Sequence, residues 1–238
     1  MREMIKGQRV LIIGGSSGIG LATAKSAIAA DALVTIGSYD EKSLRTAADE
    51  IRSLGLSTVV VDTFENASIE ELFRGDPYHH IVVTAAWSKV GSLHGLSLED
   101  GYKAMDSKFW GSYKVARAAK FAPGGSLTLI SGAYSQRPDR NAVLQGAINA
   151  AIEGLVRGLA LDLAPVRANA ISPGLTKTPL YAGMDPKARE AMMQNVANSL
   201  PVRRVGEAED IAEAILFAMT NPYLTGATIT VDGGGSIA

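Results

Sequence analysis

Cysteine is missing altogether, so disulfides, thiolate metal ligands and a cysteine nucleophile are excluded, although the redox compartment is not thereby fixed. Histidine is scarce, at three residues. His79 and His80 are adjacent, so on a strand their side chains point to opposite sides, and His94 has no carboxylate at ligand spacing. Metal catalysis is therefore not expected. Neither sign of charge dominates: the formal net charge is -1, which gives no support for a nucleic-acid or anionic-membrane surface. No run reaches about 18 apolar residues, and the apolar stretch at 10–13 meets glycines too soon for a signal peptide or membrane span. No G-x-S-x-G elbow occurs either. A cytoplasmic protein without nucleic-acid or membrane partners is the expectation.

What the chain does have is alternation. With 238 residues, 47% hydrophobic and 20% charged, one α/β domain spanning 1–238 can bury a large core. Short β-branched or apolar runs fall at 9–13, 33–37, 58–61, 81–84, 126–130, 167–171 and 228–231. Between them, 18–30, 41–54, 68–73, 98–121, 144–164 and 210–219 are rich in Ala, Leu, Glu and Lys. Strands apolar almost throughout and separated by helices predict a parallel sheet covered on both faces. The fold class is α/β: a Rossmann-like, doubly wound parallel sheet of about seven strands. Residues 177–205, with Pro179, Gly183, Pro186 and Pro201 around a helical stretch at 186–199, are the least regular. An insertion after a late strand can cover the ligand crevice, so a substrate lid is expected there.

The first strand runs directly into Gly14-Gly15-Ser16-Ser17-Gly18-Ile19-Gly20 and then into helical Leu21-Ala22-Thr23-Ala24. Glycine serves where the chain turns tightly and backbone must approach a pyrophosphate, and the helix beginning near Gly18 aims free N–H groups at the phosphates. The spacing Gly14-x3-Gly18-x-Gly20 resembles the TGxxxGxG motif of the short-chain dehydrogenase/reductase family, with Ile13 in place of the usual threonine. The resemblance runs the whole length. Asp62, with Thr63 beside it, looks like that family's adenine contact. Thr84-Ala85-Ala86-Trp87 resembles its NNAG segment. Pro173-Gly174-Leu175-Thr176, followed by Thr178, resembles its PGxxxT segment near the nicotinamide, and 224–234 is similar to its closing strand.

This resemblance implies a nicotinamide dinucleotide held by Gly14, Ser16, Ser17, Gly18, Ile19, Gly20, Ser38, Tyr39, Asp62, Thr63, Ala85, Ala86, Pro173, Gly174, Thr176 and Thr178. Ser38 and Tyr39 end the second strand, where an acidic side chain would bind the ribose 2′-hydroxyl of NAD. Two hydroxyls can hydrogen-bond a phosphate and no carboxylate stands there to repel it, so NADP is preferred over NAD.

The family's reaction uses a tyrosine for the proton, a lysine four residues on, a serine and an asparagine. Here those positions read Gln145, Asn149, Gly132 (with Ser131 before it) and Lys108. An amide is no general acid or base near neutral pH, so Gln145 cannot replace the tyrosine. Asparagine has become lysine at 108 and lysine asparagine at 149. If the two face each other, one cation and one amide have exchanged places, and a desolvated Lys108 can donate the proton. Ser131 and Tyr134 are further candidate donors. Trp87 and Trp110 are candidate walls of an apolar pocket or core residues. Three functions stand open: an atypical NAD(P)-dependent oxidoreductase on a small carbonyl or alcohol, a non-catalytic dinucleotide-binding sensor or scaffold, and cofactor-independent chemistry on the same fold. The Ala-rich segments 98–121 and 144–164 resemble the family's assembly surfaces and imply a homodimer or homotetramer.

Overall fold

Alternation along the first strand decides which side of the sheet each core residue enters. In the computed structural model, which describes residues 2–238, β1 (Arg9–Ile13) sends Val10 and Ile12 to one face and Leu11 and Ile13 to the other. Six further strands join it: β2 (Leu33–Ser38), β3 (Leu56–Val60), β4 (Tyr78–Val83), β5 (Phe121–Ile130), β6 (Arg167–Pro173) and β7 (Thr228–Val231). All neighbours pair parallel in the order β3-β2-β1-β4-β5-β6-β7. The order reverses between β1 and β4, the place where open parallel sheets bind ligands beyond the carboxyl ends of their strands.

Two helical layers cover the sheet. Helices α1 (Gly18–Ile28), α2 (Glu41–Ile51) and α8 (Ala208–Thr220) bury Ala24, Leu44 and Ile215 against the Val10 face. On the Leu11 face, α3 (Asn66–Leu72), α5 (Gly111–Ala118) and α6 (Val143–Asp162) bury Ile69, Val115 and Ile152. Helix α4 (Leu98–Met105) leads into α5, whereas α7 (Pro186–Ser199) buries none of its side chains.

Two departures from the sequence-based elements matter. The helix expected to reach residue 121 stops at Ala118, because Ala119 turns extended and Phe121 already pairs with Tyr78 on β4. Phe121 and Ala122 look helical by composition, but Pro123-Gly124-Gly125 breaks any helix there and belongs to an early start of β5. Between α4 and α5 the helix also widens into a π turn, Asp106–Trp110, in which Gly111 N–H donates five residues back to Asp106 O. Such turns often sit at functional positions, and this one carries Lys108.

Toward the amino ends of the strands His80 is buried on the central β4, its Nδ1 2.8 Å from Ser126 Oγ and its Nε2 2.7 Å from Gln8 Oε1. Burial, with smaller contributions from Arg167 and His79, pushes the imidazole from 6.5 down to about 4. Above pH 6.5 it is neutral whether folded or unfolded. As pH falls from there toward 4, only the unfolded chain takes the proton, and about 3 kcal/mol of stability is lost. Urea unfolding at pH 7 and pH 4.5 is expected to show this loss in the wild type and a shallower one in His80→Gln.

Candidate active site

Each glycine of the first turn is held by its neighbours. Gly14 N–H donates to Gly37 O (2.8 Å), tying the turn to the end of β2. Gly14 has φ +89°, and a Cβ on it would lie 2.5 Å from Ala85 N. A Cβ on Gly20 would lie 2.2 Å from Gly14 O. Gly18 faces Thr178. Ile13 O accepts from Thr84 N (2.8 Å), Ala85 N (3.0 Å) and Thr84 Oγ1 (3.2 Å), so the hydroxyl absent at position 13 arrives from the next strand. Ser17 caps α1 in an extended conformation without a side-chain bond to the helix, and no acidic residue occupies the first turn. Ser16, Ser17 and Ile19 thus frame an open helix N-terminus over a cradle that side chains would fill. Both features fit a diphosphate.

The other residues expected at the cofactor gather at the same edge. Ser38 ends β2, accepting from Asp40 N (3.3 Å), with Tyr39 exposed beside it. The nearby carboxylate of Asp40 is turned toward α2, where it accepts from Lys42 N (3.0 Å) and Ser43 N (3.2 Å). Asp62 Oδ1 accepts from Phe64 N (2.9 Å), and Thr63 packs against Gly111 just beyond the π turn. Ala85 and Ala86 follow β4, while Pro173 ends β6 and Gly174 follows it with Asp232 against the glycine. Thr176 is buried and donates to Gly174 O (3.1 Å).

Three of the positions expected to be catalytic, Lys108, Ser131 and Asn149, are joined by hydrogen bonds. Lys108 is 8% exposed. Its Nζ donates to Asn149 Oδ1 at 2.6 Å and to Ser131 O at 2.7 Å. Desolvation pushes the ammonium from 10.5 down to about 8, against the opposing pull of Glu153. Asn149 Nδ2 donates to Gly132 O (3.2 Å), so both ends of its amide are engaged. A Cβ on Gly132 would lie 2.8 Å from Asn149 Nδ2, so a side chain at 132 would push the Asn149 amide from this position. Gln145 lies apart from this contact, its Oε1 accepting from Ser88 Oγ (3.0 Å), which turns its NH2 group away from Ser88. Ser131 is buried and donates to Glu153 Oε1 at 2.6 Å, so its only proton points into α6. Tyr134 is 40% exposed, yet desolvation around its hydroxyl, with Asp139 adding to it, raises its pKa.

Three participants escaped the sequence reading. Glu153 carried a usable signal, because it stands four residues after Asn149 on the same helix face. Ser88 and Tyr181 carried none, since tertiary packing alone brings the first to Gln145 and the second into the field of Tyr134, which together with burial raises the Tyr181 hydroxyl. Trp87 lies beneath Lys103 Nζ, 4.7 Å from its ring, and its backbone N–H donates to Ser107 Oγ (2.7 Å). Trp110, at 46% exposure, stands on the outer face with Tyr113, its ring edge-on to the core-packed Phe109, because two helical residues after Lys108 point the opposite way. Among the described residues no group of three His, Asp or Glu side chains is placed to hold a metal, and no helix is long and apolar enough to cross a membrane.

A family model described as Enoyl-(Acyl carrier protein) reductase matches residues 14–236. The short-chain dehydrogenase/reductase malC of Malbranchea aurantiaca is 30% identical over 253 residues, covering 98% of this chain and 96% of its own. A solved small-chain dehydrogenase in complex with NADPH is 35% identical with a TM-score of 0.83, covering 98% of this chain and 100% of its own. A short chain oxidoreductase of Pseudomonas aeruginosa PAO1, described as containing an atypical catalytic center, is 25% identical with a TM-score of 0.87 over 97% of each chain. The chain belongs to the short-chain dehydrogenase/reductase family: it is an oxidoreductase that uses a nicotinamide dinucleotide.

Proposed function

We propose that the chain is an NADP-preferring oxidoreductase of a small carbonyl or alcohol, in which Lys108 takes the place of the usual tyrosine–lysine pair as proton donor. The observation that carries this reading is the buried ammonium held by Asn149 Oδ1 and Ser131 O at 2.6 and 2.7 Å. These bonds place two of its three protons and leave the third for a substrate oxygen or an intervening water. An acid poised at about 8 is charged at neutral pH yet gives up its proton readily. The nicotinamide, when bound, supplies the hydride. Lys108 then protonates the forming alkoxide and regains its proton from solvent. Gln145, oriented by Ser88, offers its NH2 group to the carbonyl oxygen. Turnover of NADPH against a panel of carbonyl compounds, in wild type and Lys108→Met, tests the reading.

NADP preference rests on the absence of a carboxylate at Ser38 and Tyr39, with Asp40 committed to capping α2. It also agrees with the 35% identical neighbour in complex with NADPH. Ser38→Asp is expected to shift the ratio of NADPH to NADH affinity about 10-fold or more toward NADH, read by fluorescence titration, because the new carboxylate repels a 2′-phosphate and accepts from a 2′-hydroxyl.

The remaining features complete the proposal. Residues 1–238 act as one dinucleotide-binding domain, with 177–205 as a substrate lid. The lid is pinned at its ends by the Thr176–Gly206 bridge and the Lys177–Glu207 ion pair, while α7 buries nothing between them. Trp110, Tyr113 and Tyr102 leave an aromatic patch exposed along 98–118, which we assign to a homodimer or homotetramer contact. Light scattering is expected to give a multiple of the 24.9 kDa chain, and Trp110→Glu a smaller species.

A further inference from the structure

Glu153 lies one helical turn beyond Asn149 on α6, facing the loop that follows β5. Its Oε1 accepts from Ser131 Oγ at 2.6 Å and from Ser135 Oγ at 2.5 Å. Two hydroxyls flanking Gly132 are thus tied to one carboxylate oxygen. The same Ser131 presents its backbone carbonyl to Lys108 Nζ at 2.7 Å. Ser131 therefore bridges the two charges, its hydroxyl held by the carboxylate and its backbone carbonyl accepting from the ammonium, while Asn149 Oδ1 accepts a second ammonium proton at 2.6 Å.

We propose that Glu153 is the positioning residue of this active site: its carboxylate fixes the loop of residues 131–135 in the shape that receives Lys108 and is the counter-charge that keeps the buried ammonium protonated. The inference rests on Lys108 as the proton donor for its catalytic consequence, but not for its physical content. A buried cation with only neutral acceptors around it tends to shed its proton, and an opposite charge one side chain away resists that loss. The other charged groups near Lys108 are occupied elsewhere. Asp106 and Lys114, on its own helix, pair with each other at 3.3 Å, and Lys103 sits over the Trp87 ring. Of residues 131–135 only Tyr134 is titratable, and burial favours its neutral form; farther along the same loop Arg137 donates to Gly235 O, Asp139 accepts from Asn141 N, and Arg140 is exposed. Glu153, from α6, is the charged group whose field reaches Lys108.

A hydrogen-bonding scaffold alone would need no charge at 153, and this separates the proposal from a structural role. Glutamine keeps the size and an acceptor oxygen for the two serines but removes the charge. The test is a titration of Lys108 by NMR in the full-length chain carrying 13Cε-labelled lysine, its signal assigned by its loss in Lys108→Met. Glu153→Gln is expected to lower the Lys108 midpoint by roughly one pH unit. The high-pH limb of NADPH-dependent turnover of a vicinal diketone probe should move with it. An unmoved midpoint in folded Glu153→Gln overturns the counter-charge, whatever the turnover does. A midpoint that falls while the turnover limb stays in place upholds the counter-charge and removes Lys108 from the proton transfer. Should circular dichroism show Glu153→Gln unfolded, Glu153→Asp decides: its retracted carboxylate gives a smaller drop, and an unchanged midpoint again overturns the proposal.

Discussion

Lys108→Met is expected to reduce NADPH-dependent turnover by about 100- to 10,000-fold, the usual contribution of a positioned general acid, while NADPH affinity stays within a few-fold of wild type. Methionine keeps the length and apolar stem of the side chain and removes the proton. The cradle proposed for the dinucleotide is built by different elements, the turn after β1 and the loops after β4 and β6, so on this proposal its affinity has no direct dependence on the ammonium. Losing the cation leaves Asn149 Oδ1 and Ser131 O without their donor, which costs about 1–3 kcal/mol of stability. The unfolding midpoint therefore needs measuring alongside the rate. Lys108→Arg sharpens the test: it retains a cation and hydrogen bonds, yet a guanidinium does not give up its proton at these pH values. Turnover should stay low in arginine as in methionine.

The second large effect is expected from Gly20→Ala, which should weaken NADPH binding about 100-fold or more, equivalent to about 3 kcal/mol. The added methyl would stand 2.2 Å from Gly14 O and 2.6 Å from Thr84 Oγ1. Neither atom can yield cheaply, because Gly14 N–H is bonded to Gly37 O and Thr84 is bonded to Ile13 O. The turn itself must move, and with it the N–H groups at the start of α1. Overpacking of this kind also destabilises the fold by about 1–3 kcal/mol. Gly75→Ala is the control, since nothing lies within 4 Å of its would-be Cβ. Titration calorimetry with NADPH on the two variants should separate them cleanly.

What the sequence disclosed and what it withheld divide along physical lines. The glycine turn was readable because each glycine answers a local demand, a positive φ or a close backbone approach, at a strand-to-helix junction. The parallel sheet was readable because strands buried on both faces are apolar throughout. The exchange of lysine and asparagine between 108 and 149 was visible, but only the fold brings the two side chains to 2.6 Å. The π turn that carries Lys108 left no mark in composition or periodicity. Glu153 looked like any polar residue of a long helix until Ser131 and Ser135 were found bonded to it. Trp110 shows the opposite error, a large ring offered as a pocket wall that the helical screw turns to the outside.

The reaction's dependence on pH bears most directly on the ammonium in the crevice. Single-turnover oxidation of bound NADPH by a vicinal diketone, followed from pH 6 to pH 10, should be flat at low pH. It should fall tenfold per unit above about 8, as Lys108 loses its proton. The reverse oxidation of an alcohol should rise through the same midpoint. A reduction rate that stays level to pH 10, or one unchanged in Lys108→Met, would contradict Lys108 as the acid.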